Sequence, residues 1–120
     1  MIMENNNSEP IVVLLTAANG EEAARLADML VGANLAVCVQ ILPEIESVYR
    51  WQGGIERQAE VLLIAKTSRA KFEDLDREVR ALHSYDTPEI IALPIVAGSE
   101  RYLRWLDDNL HLLRARAAKG

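Results

Sequence analysis

Little in this chain could staple it covalently or draw it to a polyanion. Its 120 residues include a single cysteine, Cys38. One thiol excludes an intrachain disulfide framework and a Cys-Cys zinc knuckle, and a reducing, cytoplasmic setting is the expectation. Basic residues are the minority, 13 Lys and Arg against 18 Asp and Glu, for a formal charge of −5. A chain of that sign repels phosphate backbones and anionic membranes, so neither nucleic acid nor membrane is an expected partner. No long hydrophobic run exists. The longest, Ile90 to Val96, contains Pro94 and falls far short of the roughly 20 residues of a membrane-spanning helix. Met1 to Glu9 is polar and Asn-rich, lacks the basic and apolar regions of a signal peptide, and is expected to be a disordered tail over residues 1–9.

What is present is enough for one core. Half of the residues are hydrophobic, and a globule of this size can bury roughly two-thirds of its unfolded surface without disulfides or metal. Ile11 to Thr16 reads as a buried strand, being short and β-branched between Pro10 and Asn19-Gly20. Asn19 stands three residues before Glu22, as in a capping box, and Ala23, Leu26, Ala27, Leu30 and Val31 then share one helical face. Gly32 and Asn34 offer the left-handed exit.

Leu35 to Arg50 and Ile55 to Thr67 read as the arms of a long hairpin, with Pro43 at an edge or bulge and Gly53-Gly54 at the turn. The arms are polar near the turn and apolar at the base, so the tip should protrude. Ser68 is placed to cap a second helix, in which Phe72, Leu75, Val79 and Leu82 form an apolar stripe. A fourth strand follows over Ile90 to Val96. Ser99 then opens a third helix to about Leu113, striped by Leu103, Leu106, Leu110 and Leu113. A single domain is expected over residues 10–113, with a basic fraying tail over 114–120.

The order is βαββαβ plus a C-terminal helix, an α+β ferredoxin-like plan with a four-stranded antiparallel sheet. Both crossover helices then lie on one sheet face, and the other is open. Yet IVVLL, VLLIA and IIALPIV are apolar at odd and even positions alike. Leaving several hundred Å² of that face wet would forgo many kcal/mol at about 25 cal/mol per Å². Symmetric self-assembly is the expected cover. Two other uses of this plan are excluded by reading. The strands lack the aromatics on which an RNA-recognition domain stacks bases, and no Cys-x-x-Cys loop of a copper chaperone follows the first strand.

Several stretches, LAVCVQILPEIESVYRWQGGIE (35–56), EVLLIAKT (60–67) and LHSYDTPEIIALPIVAGSERYLRWL (82–106), resemble the CutA family of divalent-cation tolerance proteins. The resemblance spans most of residues 11–109, in order. It implies a homotrimer, similar in plan to the PII signalling proteins, whose long hairpins clasp their neighbours, with links to tolerance of copper and other divalent metals. This chain departs from the family at a motif usually written His-Pro-Tyr-Glu, which is His83-Ser84-Tyr85-Asp86 here. Where some members carry a cysteine and a second histidine, it has Leu15 and Leu82.

Cys38 and His83 are the softest donors and the expected contacts for copper or another divalent cation, as an incomplete set not required for folding. The competing reading makes Cys38 a small buried hydrophobe and His83 a structural residue at a helix C-terminus. His111 is assigned no role. Five of the six aromatics, Tyr49, Trp51, Tyr85, Tyr102 and Trp105, fall in the family stretches. They are expected to pack between subunits and, with Lys66, Asp86 and Glu89, to wall an intersubunit cleft for a small ligand. Lys66 and Glu89 are expected to pair. Catalysis is not expected. Gly53-Gly54 opens no helix and is no phosphate loop, Glu21 and Glu22 argue against an anion at Asn19-Gly20, and Ser84, His83 and Asp86 are too close in sequence for triad geometry. The resemblance implies a non-enzymatic trimer in divalent-cation tolerance; the alternative is a PII-like sensor of a small metabolite.

Overall fold

The computed structural model describes residues 8–119, with side chains through Leu110. Residues 1–7 of the expected tail, Gly120, and the side chains of His111 and Leu113 lie outside the described residues. The elements are β1 (Pro10–Ala17), α1 (Gly20–Gly32), β2 (Cys38–Trp51), β3 (Gly54–Ser68), a 3-10 turn (Arg69–Lys71), α2 (Phe72–Leu82), β4 (Ile90–Pro94) and α3 (Glu100–Lys119). The sheet order is β2-β3-β1-β4 with every pair antiparallel. The ferredoxin-like expectation holds.

Residues paired across an antiparallel ladder share a face. One face carries Ile11, Val13 and Leu15 of β1 opposite Thr67, Ala65 and Leu63 of β3. Leu26 and Leu30 of α1 and Leu75 and Val79 of α2 close over it in one buried cluster. Spacing of three and four residues brings each helix's apolar positions to one side, which is why two turns of each suffice. The second face carries Val12, Leu14 and Thr16 opposite Lys66, Ile64 and Leu62. Here α3 covers one end, where Tyr102 reaches Lys66 and Leu106 and Leu110 are buried apart from the main cluster. Leu42, Ile91 and Leu93 remain 41–48% exposed.

Several local expectations shift. Asn19 caps α1 by accepting the Glu22 N–H at 2.9 Å, but the Glu22 carboxylate returns to the Ala18 N–H, one residue before the cap. Asn34 alone takes the left-handed exit, at φ 60°, and its amide donates to the Leu110 carbonyl. The hairpin turn is Gln52-Gly53, at φ 48° and 83°, with Trp51 opposite Gly54. Two successive positive φ values match the twist of the flanking strands, so Gly54 is released to begin β3. Ser68 makes no side-chain capping bond, because the 3-10 turn intervenes and Lys71 precedes α2. Glu9 belongs to the fold, not the tail, since its carbonyl and carboxylate both accept from Arg69. Pro94 ends β4 two residues early, and α3 runs past Leu113 to Lys119. The hairpin does protrude, giving the chain extents of 52 × 30 × 23 Å.

Candidate ligand cleft

A single extra residue in β2 decides what the protruding arms present. Below it Leu42 pairs with Leu62, above it Ile45 pairs with Glu60, and the bulge at Pro43-Glu44 holds Glu44 at φ 63°. Proline has no N–H to give the ladder, so the pairing is free to skip here. The skip inverts the alternation of β2. Ser47, Tyr49 and Trp51 thereby come onto the face of Gln58, Glu60 and Leu62, which is also the face of Thr16. Without the bulge Tyr49 and Trp51 would point to the other side.

Against this surface lies the 83–89 connection, and between them opens a cleft of about 710 Å³. Its walls include Tyr49, Trp51, Tyr85, Glu60, Asp86 and Glu89. A directed hydrogen-bond chain crosses it. Tyr49 Oη donates to Gln58 Oε1 at 2.9 Å, Gln58 Nε2 to Tyr85 Oη at 3.0 Å, and Tyr85 Oη to Glu60 Oε2 at 2.8 Å. Burial, reinforced by the Glu60 carboxylate, pushes the Tyr85 phenol up to about 12. Tyr85 therefore stays a proton donor across the physiological range.

The connection is clamped from behind. His83 has a fully buried side chain, with Nε2 2.7 Å from the Thr16 carbonyl and Nδ1 accepting the Tyr85 N–H at 3.0 Å. A carbonyl can only accept and an amide can only donate, so the proton sits on Nε2. Glu22, 2% exposed, grips the Ser84 N–H at 2.6 Å through Oε2 and the Ala18 N–H through Oε1. Burial alone would raise its carboxyl, but the hydrogen bonds from Ala18 and Ser84 outweigh it and hold Glu22 below the usual value of 4.5. Its Oε2 lies 3.6 Å from His83 Nδ1.

The structure thus divides the expected site. Tyr49, Trp51, Tyr85, Asp86 and Glu89 meet in the cleft. Lys66, Tyr102 and Trp105 do not line it. They form a separate cluster, with Lys66 Nζ 3.3 Å from Tyr102 Oη and 5.3 Å from its ring centre, and the Tyr102 and Trp105 rings 5.6 Å apart. The expected Lys66–Glu89 pairing is replaced by Lys66–Tyr102, because Lys66 stands six residues along β3 from Glu60, roughly 20 Å at a strand's rise. Cys38 is half-buried opposite Lys66. As a metal pair His83 and Cys38 do not fit within one chain, since both imidazole nitrogens are already engaged. No group of three or more His, Cys, Asp or Glu that could hold a metal occurs among the described residues. Glu22, Gln58 and Glu60 were not anticipated as site residues. The one signal for Glu60 was a carboxylate at the edge of the apolar run VLLIA.

Residues 11–109 match the family described as CutA1 divalent ion tolerance protein. The chain belongs to the CutA1 family. It is 47% identical over 107 residues to the chloroplastic protein CutA of Arabidopsis thaliana, covering 88% of this chain but 59% of that protein. The chain thus spans little more than half of that plant relative's length. It is also 47% identical over 98 residues to the divalent-cation tolerance protein CutA of Thermus thermophilus, covering 82% of this chain and 95% of that one. The crystal structure of CutA1 from Oryza sativa superposes with a TM-score of 0.82 at 45% identity, covering 87% of this chain and 95% of that one. The CutA1 match includes both the hairpin and the 83–89 connection, so the cleft lies wholly within the family region.

Proposed function

We propose that this CutA1 protein serves divalent-cation tolerance as a non-catalytic homotrimer that holds a cation in the cleft, instead of chelating copper through His83 and Cys38. The observation that carries the reading is the cleft's charge. Glu60, Asp86 and Glu89 line it, and among the described residues no Lys or Arg does. Copper contact in this reading is weak, because the carboxylates are not gathered into a chelating set. Engagement of both His83 nitrogens also supports a non-catalytic role, since the imidazole has no free nitrogen to serve Ser84 as a base. The trimer is supported by the apolar side chains left bare on the second sheet face and hairpin, where Val48, Trp51 and Ile55 are 52–70% exposed. A reducing, cytoplasmic setting belongs to the same proposal, as Cys38 has no partner for a disulfide.

Light scattering at micromolar concentration should give a trimer mass, and Ile55→Asp should weaken assembly where Ala81→Asp on the outer side of α2 does not. A monomer mass, or equal effects of the two changes, would remove the assembly. Calorimetric titration with copper(II) should show weak binding that survives His83→Ala and Cys38→Ser; tight binding abolished by either would restore those two residues as the site. A second reading, a sensor of a small metabolite, is favoured by the cleft's size and aromatic walls, which exceed the needs of a bare ion.

A further inference from the structure

We infer that the cleft is built for a small organic cation of the ammonium or guanidinium class. The inference rests on the cation-holding cleft proposed above and names its ligand. Glu60 is the first ground. It is 8% exposed, it forms no ion pair among the described residues, and its one hydrogen bond is the one received from Tyr85 at 2.8 Å. Its second oxygen is unpartnered among the described residues. Its carboxylate thus lines the cleft with no counter-charge beside it, and a carboxylate on so largely buried a residue is ordinarily paired. A cationic guest supplies the missing partner.

The direction of the hydrogen-bond chain is the second ground. Tyr49 gives its proton to Gln58, Gln58 to Tyr85, and Tyr85 to Glu60. The hydroxyl protons of Tyr49 and Tyr85 are consumed inside the wall, and the chain ends on an acceptor. Tyr49, Tyr85 and Glu60 therefore meet a guest with acceptor oxygens, which suits a molecule rich in N–H donors. Placing Lys66 with Tyr102 instead of Glu89 removes the one amine that would have admitted an anion.

Size and aromatic character separate an organic cation from a metal ion. The carboxylates are too dispersed to close on one ion, and a cleft of about 710 Å³ has the volume of a small-molecule site. Tyr49 and Trp51, two residues apart on the same strand face, add ring faces whose quadrupoles attract an ammonium or guanidinium. A hydrated metal ion draws little from either ring.

The test uses the intact assembled protein and three four-carbon probes, putrescine, its neutral counterpart butanediol, and the dianion succinate, with copper(II) alone as a fourth arm. Putrescine should bind saturably at one site per chain, with butanediol and succinate inert. Glu60→Gln should weaken putrescine at least tenfold. Asp86→Asn combined with Glu89→Gln, both at exposed positions, should weaken it severalfold and flatten its salt dependence. Butanediol or succinate binding as tightly as putrescine would overturn the inference, as would undiminished affinity in a folded Glu60→Gln. If Glu60→Gln fails to fold, unchanged affinity in the exposed double variant overturns it equally. Copper(II) binding lost in the double variant, with putrescine inert, would defeat the organic cation and leave the cation-holding cleft standing. No binding by any of the four would remove both.

Discussion

Replacing Glu22 by glutamine should destabilise the fold more than any other single-atom exchange near the cleft. Its two carboxylate oxygens accept from the Ala18 and Ser84 amides at 2.9 and 2.6 Å, on a side chain only 3% exposed. Glutamine keeps one oxygen and turns the other into a donor, so one buried N–H faces another. A hydrogen bond to a charged group contributes about 1.5–3 kcal/mol, and an unsatisfied buried donor costs about 1–3 kcal/mol. The two overlap, and about 3 kcal/mol is the expected loss near neutrality, roughly a hundredfold in the folding constant. With a urea slope of about 2 kcal/mol per molar, the midpoint should fall by about 1.5 M at fixed protein concentration. The pH dependence fixes the cause. Glu22 is held below 4.5 in the folded protein, so its contribution is complete above that value and is lost as the pH falls through the lowered folded value. The difference between wild type and Glu22→Gln should therefore hold near neutrality and shrink as the pH falls below 4.5. A loss below about 0.5 kcal/mol near neutrality, or one of the same size in acid, would refute the clamp.

The remaining predictions concern the cleft wall and the hairpin turn. In an ultraviolet absorbance titration, one of the three tyrosines should ionise only near 12, and Tyr85→Phe should abolish that late step. Because the folded value is raised, Tyr85 should contribute full stability below its unfolded value of 10.0 and lose it as the pH rises through about 12; titration of all three phenols together would contradict this. Gln52→Asn should stabilise by about 0.5 kcal/mol, since Asn tolerates φ 48° better than Gln. An unchanged or lowered urea midpoint would show that the Gln52 turn carries no such strain.

The architecture was legible because it rests on periodicities that each segment carries alone. The 3-4-3 spacing of Phe72, Leu75, Val79 and Leu82, the two hairpin arms apolar at the base and polar toward the turn, and the doubly apolar strands follow from 3.6- and 2-residue repeats and need no knowledge of the neighbours. The sequence also pointed to Tyr49, Trp51, Tyr85, Asp86 and Glu89 as one group. It did so through the family stretches, without a geometric reason.

That reason lies in the tertiary structure. The skip between Leu42 and Ile45 reverses which side of β2 faces Glu60, and a pattern of period two cannot reveal where its own phase changes until the partner strand is in place. The same holds for Glu22. As a capping residue it was visible, since its bond to Ala18 spans four positions, but its second oxygen grips Ser84, 62 residues away. His83 read as a metal donor by residue type, and only the fold shows both its nitrogens occupied by Thr16 and Tyr85. Lys66 moved from the cleft to Tyr102 because strand rise separates residues that a resemblance merely groups. Short-range periodicity is written in the chain itself, whereas the polar partners of a buried site come from segments far apart in sequence and are chosen only when the sheet register and the helix packing are complete.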